Sequence, residues 1–346
     1  MSDLILAVDG GQTGTVAVLA GLDGNIRGVG RGGPIRHHEE PDAERFVRDG
    51  LGAAVAGAMH AVADGDVVAV SCLAMTGSVV IANRVIRELV VARAYLALAS
   101  DTLAALASGT AGGGGIGLIA GTGTVALAHG RGADDVLVGG WGWLLGDEGG
   151  GFWIAMEALK AAARDVDGTG EHTRLTLAVP PRLGQPDMRG VYNLVTGRRL
   201  DRTAIAALTT TVVAVAEAGD TVAAGILDRA ADRLADLVVA TVAAASFLES
   251  DERLIVPSGG VLRPGGWVLT RLTAQLAVRT PDFRVVVPQV PPVIGAYWLA
   301  LARTGVQLDH ALRDRVTGQV AAWANLTSKT AIASPAHPTD SFEELP

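Results

Sequence analysis

Cysteine is almost absent from this chain of 346 residues, which carries one, at position 72. A single cysteine can form neither an internal disulfide nor a cysteine-rich zinc site. Cys72 lies within the apolar run DVVAVSCLAM, so we interpret it as a small buried hydrophobic side chain. The sequence therefore excludes a disulfide framework and a structural zinc finger.

Aromatic and charged residues are also scarce, at 4% and 18% of the chain, and the formal net charge is −8. Packing must therefore rely on alanine, valine and leucine. An acidic balance disfavours a protein that binds a phosphate backbone, because such proteins usually carry a basic face. We expect no nucleic-acid partner.

Long apolar runs are missing as well. The longest, such as LVVATVAAASFL, are too short to cross a bilayer. The first ten residues, MSDLILAVDG, contain neither a basic region nor the apolar core of a signal peptide. We expect a cytoplasmic protein without a membrane partner.

Glycine, by contrast, is abundant at 45 residues and lies in local clusters. Three clusters follow apolar runs that predict buried strands: DGGQTGT, AGTGT and PSGGV. Successive small residues allow backbone N–H groups to converge on an anion, which is how phosphates can be bound without a large positive charge. One such turn is typical of an ordinary hairpin, but three together favour a nucleotide site.

The pentapeptide TGTVA occurs twice, at 13–17 and at 122–126. Each copy closes a glycine turn between two predicted strands, first Leu4–Val8 and Thr15–Ala20, then Ile116–Ala120 and the run TVALAH. Rossmann and Walker A loops join a strand to a helix, so neither is present. Two copies of one unit predict two related α/β domains that face each other.

The rest of the chain predicts further strands and helices. Helices are expected at 46–63, from Asp101 onwards, at 152–165, over 201–219, over 220–248 and after the proline pair at 291–292. Strands are expected at 66–75, up to Ser100 and within DERLIVPS. The segment 166–200 is expected to be rich in loops, and the polar, proline-containing end SPAHPTDSFEELP to be disordered.

Two carboxylates flank the predicted turns. Asp9 ends the first strand, where it either caps an Asx-type turn or faces a phosphate through a hydrated Mg²⁺. Asp101 begins a helix after a buried strand, which suits an N-cap and also a base that accepts the proton of an attacking hydroxyl. Phosphoryl transfer needs little more than positioning, a metal and such a group.

The densest stretch is GGWGWLLGDEGGGFWI, at 139–154. It combines three of the six tryptophans with Asp147 and Glu148. A packing turn would not need an acidic pair between glycines. A polyhydroxylated ligand would, because carboxylates accept hydrogen bonds from sugar hydroxyls and indole faces cover the C–H side of the ring.

These motifs resemble the N-acetylglucosamine kinase branch of the BadF/BadG/BcrA/BcrD-type ATPases, within the superfamily of sugar kinases, actin and heat-shock chaperones. The resemblance covers roughly Leu4 to Arg303, and GTGT with GGWGWLLGDEGG is its most specific part. It implies an α/β fold of two related actin-like (ribonuclease H-like) domains with a nucleotide cleft between them. The expected parts are an N-terminal lobe at 1–108, a C-terminal lobe at 109–292, C-terminal helices at 293–325, the first returning to the N-terminal lobe, and a flexible tail at 326–346.

The resemblance also implies ATP and Mg²⁺ as cofactors, and an amino sugar, N-acetylglucosamine phosphorylated at its 6-hydroxyl, as substrate. Asp101 would be the catalytic base, and Asp9 would hold Mg²⁺ through water. The residues expected at the nucleotide are Gly10, Gly11, Gln12, Thr13, Gly121, Thr122, Gly123, Ser258, Gly259 and Gly260. The residues expected at the sugar are Thr76, Gly77, Asp101, Thr124, Gly140, Trp141 and Asp147. Relatives often dimerise through the second domain, so a homodimer is expected.

Gly14 departs from the family pattern, because many relatives carry lysine there, so one phosphate contact is lost or replaced. The acceptor stays open among N-acetylglucosamine, glucosamine, N-acetylmuramic acid and a glucose-like sugar. Two other functions compete with a kinase. One is an ATPase that activates a radical reductase, which would need cysteine thiolates for an iron–sulfur cluster. The other is a non-catalytic nucleotide switch or sugar-sensing regulator.

Overall fold

Two five-stranded mixed sheets form the framework of the protein. The computed structural model describes residues 2–35, 42–60, 62–63, 65–130, 134–197, 199–249 and 251–328. The strands of the first sheet are β1 (Asp3–Gly11), β2 (Gly14–Gly21), β3 (Ile26–Gly32), β4 (Val67–Met75) and β5 (Ala92–Ala97). They lie in the order β3-β2-β1-β4-β5, antiparallel from β3 to β1 and parallel from β1 to β5.

The second sheet repeats this plan. Its strands are β6 (Gly115–Ala120), β7 (Thr124–His129), β8 (Val136–Gly139), β9 (Leu254–Ser258) and β10 (Arg284–Val285). They lie in the order β8-β7-β6-β9-β10, with the same parallel and antiparallel pairs as the first sheet. The predicted fold of two related α/β domains is confirmed.

The outer face of the first sheet is covered by α1 (Ala43–Met59) and α2 (Val79–Leu89). Helix α1 can lie directly on β3 because three alternate residues of the strand are glycines. A Cβ on Gly28, Gly30 or Gly32 would overlap backbone carbonyl oxygens of α1. The sequence IRGVGRG is therefore a strand built for contact with a helix.

One helix from each lobe crosses to the other lobe. Helix α3 (Asp101–Thr110) follows β5 and contacts β6, β7 and β9 of the second sheet. Helix α12 (Pro292–Arg303) follows β10 and contacts β1, β2 and β4 of the first sheet. The two helices pack so closely that a Cβ on Gly295 would overlap the carbonyl oxygen of Ala104. The duplicated sheets are thus joined by a duplicated exchange of helices.

The second lobe contains the remaining helices up to α11. These are α4 (Gly142–Leu145), α5 (Gly151–Val166), α6 (Leu175–Arg182), α7 (Met188–Thr196), α8 (Arg202–Ala206), α9 (Thr209–Glu217), α10 (Thr221–Ala244) and α11 (Trp267–Arg279). Their shared core with the second sheet consists mainly of alanine, leucine and valine, as the composition requires.

Several local predictions were wrong. The segment 166–200, expected to be rich in loops, contains two helices, α6 and α7. Leu175 and Val179 of α6 are buried in the core. The single helix expected over 201–219 is two helices, α8 and α9. The strand expected to end at Ser100 ends at Ala97 and is preceded by α2. Strands β8 and β10 and helices α4 and α11 had not been predicted.

The last described helix is α13 (His310–Ser328), which packs against the hairpin of β2 and β3. The side chain of Gln319 accepts a hydrogen bond from Ile26 N at 2.9 Å and donates one to Gly24 O at 3.0 Å. The helix extends into the first residues of the expected tail, and 329–346 lie outside the described residues. Nowhere in the described part of the chain is a helix both long and apolar enough to cross a membrane.

Candidate active site

The candidate site lies at the carboxyl edge of the first sheet, where the parallel strands β1, β4 and β5 end. Asp9 and Gly10 lie near the end of β1, and Thr76 follows β4. Thr76 N donates to Gly10 O at 2.9 Å, so the expected sugar-side loop is bonded to the first glycine turn. Asp101 begins α3 beyond the end of β5. Carboxyl ends of parallel strands are the usual place for ligands in such sheets.

Asp9 is a half-buried carboxylate with a strongly perturbed acidity. Burial, and to a smaller extent the negative charge of Asp101, raise its pKa to about 7. The two carboxylates are therefore close enough to repel each other. A cation between them would favour the charged form of each carboxylate, and it would so offset both the burial and the repulsion.

Asp101 occupies the first helical position of α3, so the expectation that it forms the N-cap is wrong. The cap is Ser100, whose hydroxyl oxygen accepts a hydrogen bond from Thr102 N at 3.2 Å. Burial raises the pKa of the Asp101 carboxyl, and hydrogen bonds from Thr102 and Ser100 partly offset that rise. Asp101 therefore lies in the first turn of α3 without capping it, and burial raises the pKa of its side chain.

The first glycine turn is the tip of the β1–β2 hairpin. Gly11 pairs with Gly14, which leaves Gln12 and Thr13 as the turn itself. Behind it, the buried hydroxyl of Thr15 donates to Gly33 O at 2.8 Å. This bond ties the hairpin to the segment that follows β3.

The second glycine turn is likewise the tip of a hairpin, that of β6 and β7. Ala120 pairs with Thr124, so the turn consists of Gly121, Thr122 and Gly123, and it is closed by a bond from Gly121 N to Gly123 O at 3.0 Å. Thr124 is the counterpart of Thr15 in the repeated pentapeptide. Its hydroxyl donates to Glu148 O at 3.4 Å, in the segment between α4 and α5. In both copies of the pentapeptide, the second threonine thus donates its hydroxyl to a carbonyl oxygen outside its own hairpin.

Asp147 braces this second turn. Its backbone is in the left-handed region, with φ of 57°, and its carboxylate accepts a bond from Thr124 N at 3.0 Å. A Cβ on Gly123 would overlap the Asp147 carboxylate, so a larger residue there would displace that side chain. Gly151 N then donates to Gly121 O at 2.8 Å, which places the start of α5 on the turn. Asp147 thus has a structural role that the sequence did not indicate.

The third glycine cluster lies beside the second. Strands β6 and β9 are parallel, with Ile119 opposite Ser258. Gly259 has φ of 104°, and a Cβ there would lie 3.0 Å from Gly121 N. Gly259 and Gly260 are exposed. The structure therefore brings together the two motifs expected at the nucleotide in the second lobe.

The tryptophan-rich segment is held at one end and exposed at the other. Gly140 N donates to Thr124 O at 3.1 Å, so this residue also contacts the second turn. Trp141 is 71% exposed, and Leu144 and Leu145 beside it are exposed as well. Trp143 packs edge-on against Phe152, with ring centroids 5.5 Å apart. The predicted sugar contacts of Gly140, Trp141 and Asp147 stay predictions.

Sequence reasoning missed a cavity of about 390 Å³ next to Asp9. It is lined by Asp9, Val16, Arg31, Gln289, Pro291, Val293, Val320, Ala321 and Trp323. The sequence held one indirect signal for Arg31, which lies one residue before the end of β3. No local signal could have indicated Trp323, which α13 brings from the far end of the chain.

The described residues contain no cluster of three histidine, cysteine, aspartate or glutamate side chains that could hold a metal ion. Mg²⁺ does not require such a cluster, because it usually keeps several waters and binds one or two carboxylates together with substrate phosphates. Asp9, with its unrelieved burial and its neighbour Asp101, suits a cation held in that way.

Cys72 is fully buried on β4, as expected. Burial raises the pKa of its thiol to about 12. A thiol in this state is a packing group and not a thiolate ligand.

Comparisons with curated proteins find two similar kinases. The chain is 25% identical over 315 residues to the N-acetyl-D-glucosamine kinase of Dictyostelium discoideum, covering 86% of this chain and 98% of that protein. It is 28% identical over 201 residues to the N-acetylmuramic acid/N-acetylglucosamine kinase of Clostridium acetobutylicum, covering 58% of this chain and only 65% of that protein.

Solved structures show the same fold. A protein from Chromobacterium violaceum, provisionally assigned as an N-acetylglucosamine kinase, superposes with a TM-score of 0.68 at 24% identity, over 87% of this chain and 99% of that one. A ROK family glucokinase from Streptomyces griseus, in complex with glucose and AMPPNP, gives 0.54 at 17% identity, over 86% of this chain and 99% of that one.

The sequence model of one family matches residues 6–300, which include nearly all of both sheets and all three glycine clusters. This match covers most of the chain. The protein belongs to the BadF/BadG/BcrA/BcrD ATPase family.

Proposed function

We propose that the protein is an ATP-dependent kinase that transfers the γ-phosphoryl group to an amino sugar, N-acetylglucosamine at its 6-hydroxyl. The observation that carries this proposal is the pair Asp9 and Asp101, two mutually repelling carboxylates at the edge of the first sheet. One suits a hydrated metal ion and the other suits a base. The names of the two curated relatives point to the same substrate class.

The nucleotide would lie between the lobes. Its phosphates would contact the turns at 10–13 and 121–123, and its adenosine would contact 258–260. Backbone N–H groups in such turns bind phosphate oxygens. The pairing of β6 with β9, which puts two of these clusters side by side, supports the assignment. Mg²⁺ near Asp9 would neutralise the charge of the phosphates.

Asp101 would accept the proton of the sugar hydroxyl. A carboxyl whose pKa is raised by burial is a stronger base than an exposed one. Its position at the start of α3, a helix that contacts both sheets, supports a role between the lobes. Positioning and electrostatics account for most of the catalysis in phosphoryl transfer.

The sugar would be held by Thr76, Gly77 and Asp101 from the first lobe. Thr124, Gly140, Trp141 and Asp147 of the second lobe would complete the site when the lobes close. The exposed indole of Trp141 would then cover the sugar ring. Asp147 would also keep the turn in shape through Thr124.

A different function, activation of a radical reductase, fits this chain poorly. It would require an iron–sulfur cluster held by cysteines from two subunits. Cys72, the single cysteine, is fully buried within a strand and has no thiolate to offer. We expect purified protein to be colourless and free of iron.

The kinase proposal is tested by ADP release in the presence of ATP and Mg²⁺, with N-acetylglucosamine, N-acetylmuramic acid, glucosamine and glucose as acceptors. We expect N-acetylglucosamine to stimulate turnover at least a hundredfold over the rate without sugar. Stimulation by another of these sugars would correct the acceptor. Absence of stimulation by any sugar would contradict the kinase and favour a nucleotide switch.

The role of Asp101 is tested by Asp101→Asn, which keeps the size of the side chain and removes the base. We expect kcat to fall by about 10²–10⁴-fold, the usual contribution of a general base, while affinity for the sugar changes little. Asp282→Asn, at an exposed carboxylate before β10, is the control. Turnover of Asp101→Asn close to that of the unchanged protein would remove Asp101 from this role.

We also propose a cytoplasmic homodimer. The supporting observation is the exposure of two apolar side chains on α4, Leu144 and Leu145. Light scattering coupled to gel filtration gives the mass in solution, and a monomer at all concentrations would contradict this part of the proposal.

A further inference from the structure

Arg31 occupies the same face of the first sheet as Asp9. Asp9 pairs directly with Val16 on β2, and Val16 pairs directly with Arg31 on β3. Side chains of directly paired residues in antiparallel strands lie on the same face. The three residues thus form one row across the sheet, and all three line the same cavity.

The row leaves a gap between its two charges. Two strand spacings separate the Cα atoms of Asp9 and Arg31 by about 10 Å. Over the part of the chain that the structure describes, Arg31 forms no ion pair with an acidic side chain. Gly14, two residues before Val16, adds no side chain to this face, which stays open next to the first turn.

The guanidinium of Arg31 is held in place from the C-terminal side of the chain. It lies over the indole of Trp323 on α13, 5.2 Å from the ring centroid. Cation–π contact orients a guanidinium without neutralising it, so its N–H groups remain able to donate to an anion. Helix α13 is itself fixed to the β2–β3 hairpin through Gln319.

The cavity has the size and chemistry of an anion site. Its volume of about 390 Å³ exceeds that of a single phosphate group, and its polar lining consists of Asp9, Arg31 and the Gln289 amide. An anion that bound Arg31 directly could bind Asp9 only through a cation. A phosphate group with its divalent metal ion meets both conditions.

We propose that Arg31, oriented by Trp323, binds the phosphate chain of the nucleotide, and that α13 is therefore part of the nucleotide site. This proposal rests on the proposed function for the identity of the ligand. Arg31 would donate to phosphate oxygens, and Asp9 would hold, through water, the Mg²⁺ that neutralises their charge. Trp323 is a positioning residue, because it acts through Arg31.

The test compares ADP with adenosine, which differ in the phosphates alone. Binding of each to the full chain is measured by calorimetry with Mg²⁺ present. Arg31→Met should raise the Kd for Mg·ADP by ten- to a hundredfold, as expected for the loss of a charge-assisted hydrogen bond, and leave the Kd for adenosine within twofold. Arg31→Lys, which keeps the charge and loses the planar fork, should weaken ADP by at least threefold. Trp323→Leu should also weaken ADP and not adenosine.

Arg189→Met is the matched control, since Arg189 is exposed and lies over an aromatic ring, that of Tyr192, at 5.5 Å in the second lobe. It should change neither affinity. Unchanged ADP affinity in Arg31→Met, or equal losses for ADP and adenosine, would overturn the proposal. If Arg31→Met does not fold, the same comparison in Arg31→Lys decides.

The same variants separate this proposal from the kinase. If Arg31→Met weakens Mg·ADP but the unchanged protein phosphorylates no sugar, the phosphate contact of Arg31 is supported and the kinase function is refuted. If the unchanged protein phosphorylates N-acetylglucosamine and Arg31→Met has the same KM for ATP, the kinase function is supported and the phosphate contact of Arg31 is refuted.

Discussion

The perturbed acidity of Asp9 predicts how the stability of the ligand-free protein depends on pH. Its pKa in the folded protein is raised from 3.8 to about 7, whereas in the unfolded chain it returns to the ordinary range. The folded state therefore holds a proton that the unfolded state has already released. The stabilisation from that proton is fully present below about pH 4 and is lost as the pH rises through about 7.

The magnitude follows from the size of the shift. A difference of about three pKa units corresponds to roughly 4 kcal/mol. Any screening of the Asp9 charge by water is already included in the pKa of about 7. We therefore expect a loss of up to roughly 4 kcal/mol in the free energy of unfolding across the whole window. Roughly half of this loss falls between about pH 5.5 and pH 8.

The assay is thermal unfolding of metal-free protein at these two pH values, for the unchanged chain, Asp9→Asn and Asp282→Asn. Asp9→Asn removes the charge, so its melting temperature should exceed that of the unchanged chain by more at the higher pH. Asp282→Asn changes the net charge equally at an exposed position and should show no such difference. Mg·ATP should stabilise the unchanged chain more than Asp9→Asn at the higher pH.

The reasoning would be refuted if Asp9→Asn and the unchanged chain responded identically to pH. It would also be refuted if Asp101→Asn left the response unchanged, because the charge of Asp101 is the second cause of the shift. In that case the two carboxylates would be too far apart to share a cation, and the kinase mechanism would lose its metal site.

Three further predictions test the framework. Gly123→Ala places a Cβ against the Asp147 carboxylate and should lower kcat at least tenfold with little change in melting temperature; unchanged kcat would show that the turn is not braced as described. Gly295→Val forces a side chain into Ala104 and should lower the free energy of unfolding in urea by about 3 kcal/mol or more. Cys72 should not react with a thiol reagent until the protein unfolds, and fast reaction in the native state would contradict its burial.

Much of the fold could be predicted from local pattern. The strands β1, β2, β4, β6 and β7 are short apolar runs ended by glycine or polar residues, and such runs specify buried strands wherever they occur. The repeated TGTVA indicated the duplication, because each copy carries a threonine whose hydroxyl bonds outside its own hairpin. Helices α6 and α7 could not be predicted in this way, because core burial overrides their weak propensity.

Some residues of the candidate site could likewise be predicted from local pattern, and others could not. The sequence predicted Asp9 and Asp101 as candidates, because one lies near a strand end and the other at a helix start, and the order of β1, β4 and β5 makes those ends neighbours. It did not identify Asp147 as a brace of the second turn. That role depends on a hydrogen bond to Thr124, which lies 23 residues earlier in the chain.

The sequence by itself determined the two glycine-turned hairpins, the burial of the single cysteine and the acidic residues beside the turns, because each of these depends on a few consecutive residues. The tertiary structure alone decided which groups share the cleft. The mutual repulsion of Asp9 and Asp101, the contact of Gly295 with Ala104 and the stacking of Arg31 on Trp323 all join distant segments. Such contacts arise from how the sheets and helices pack, and no local pattern encodes them.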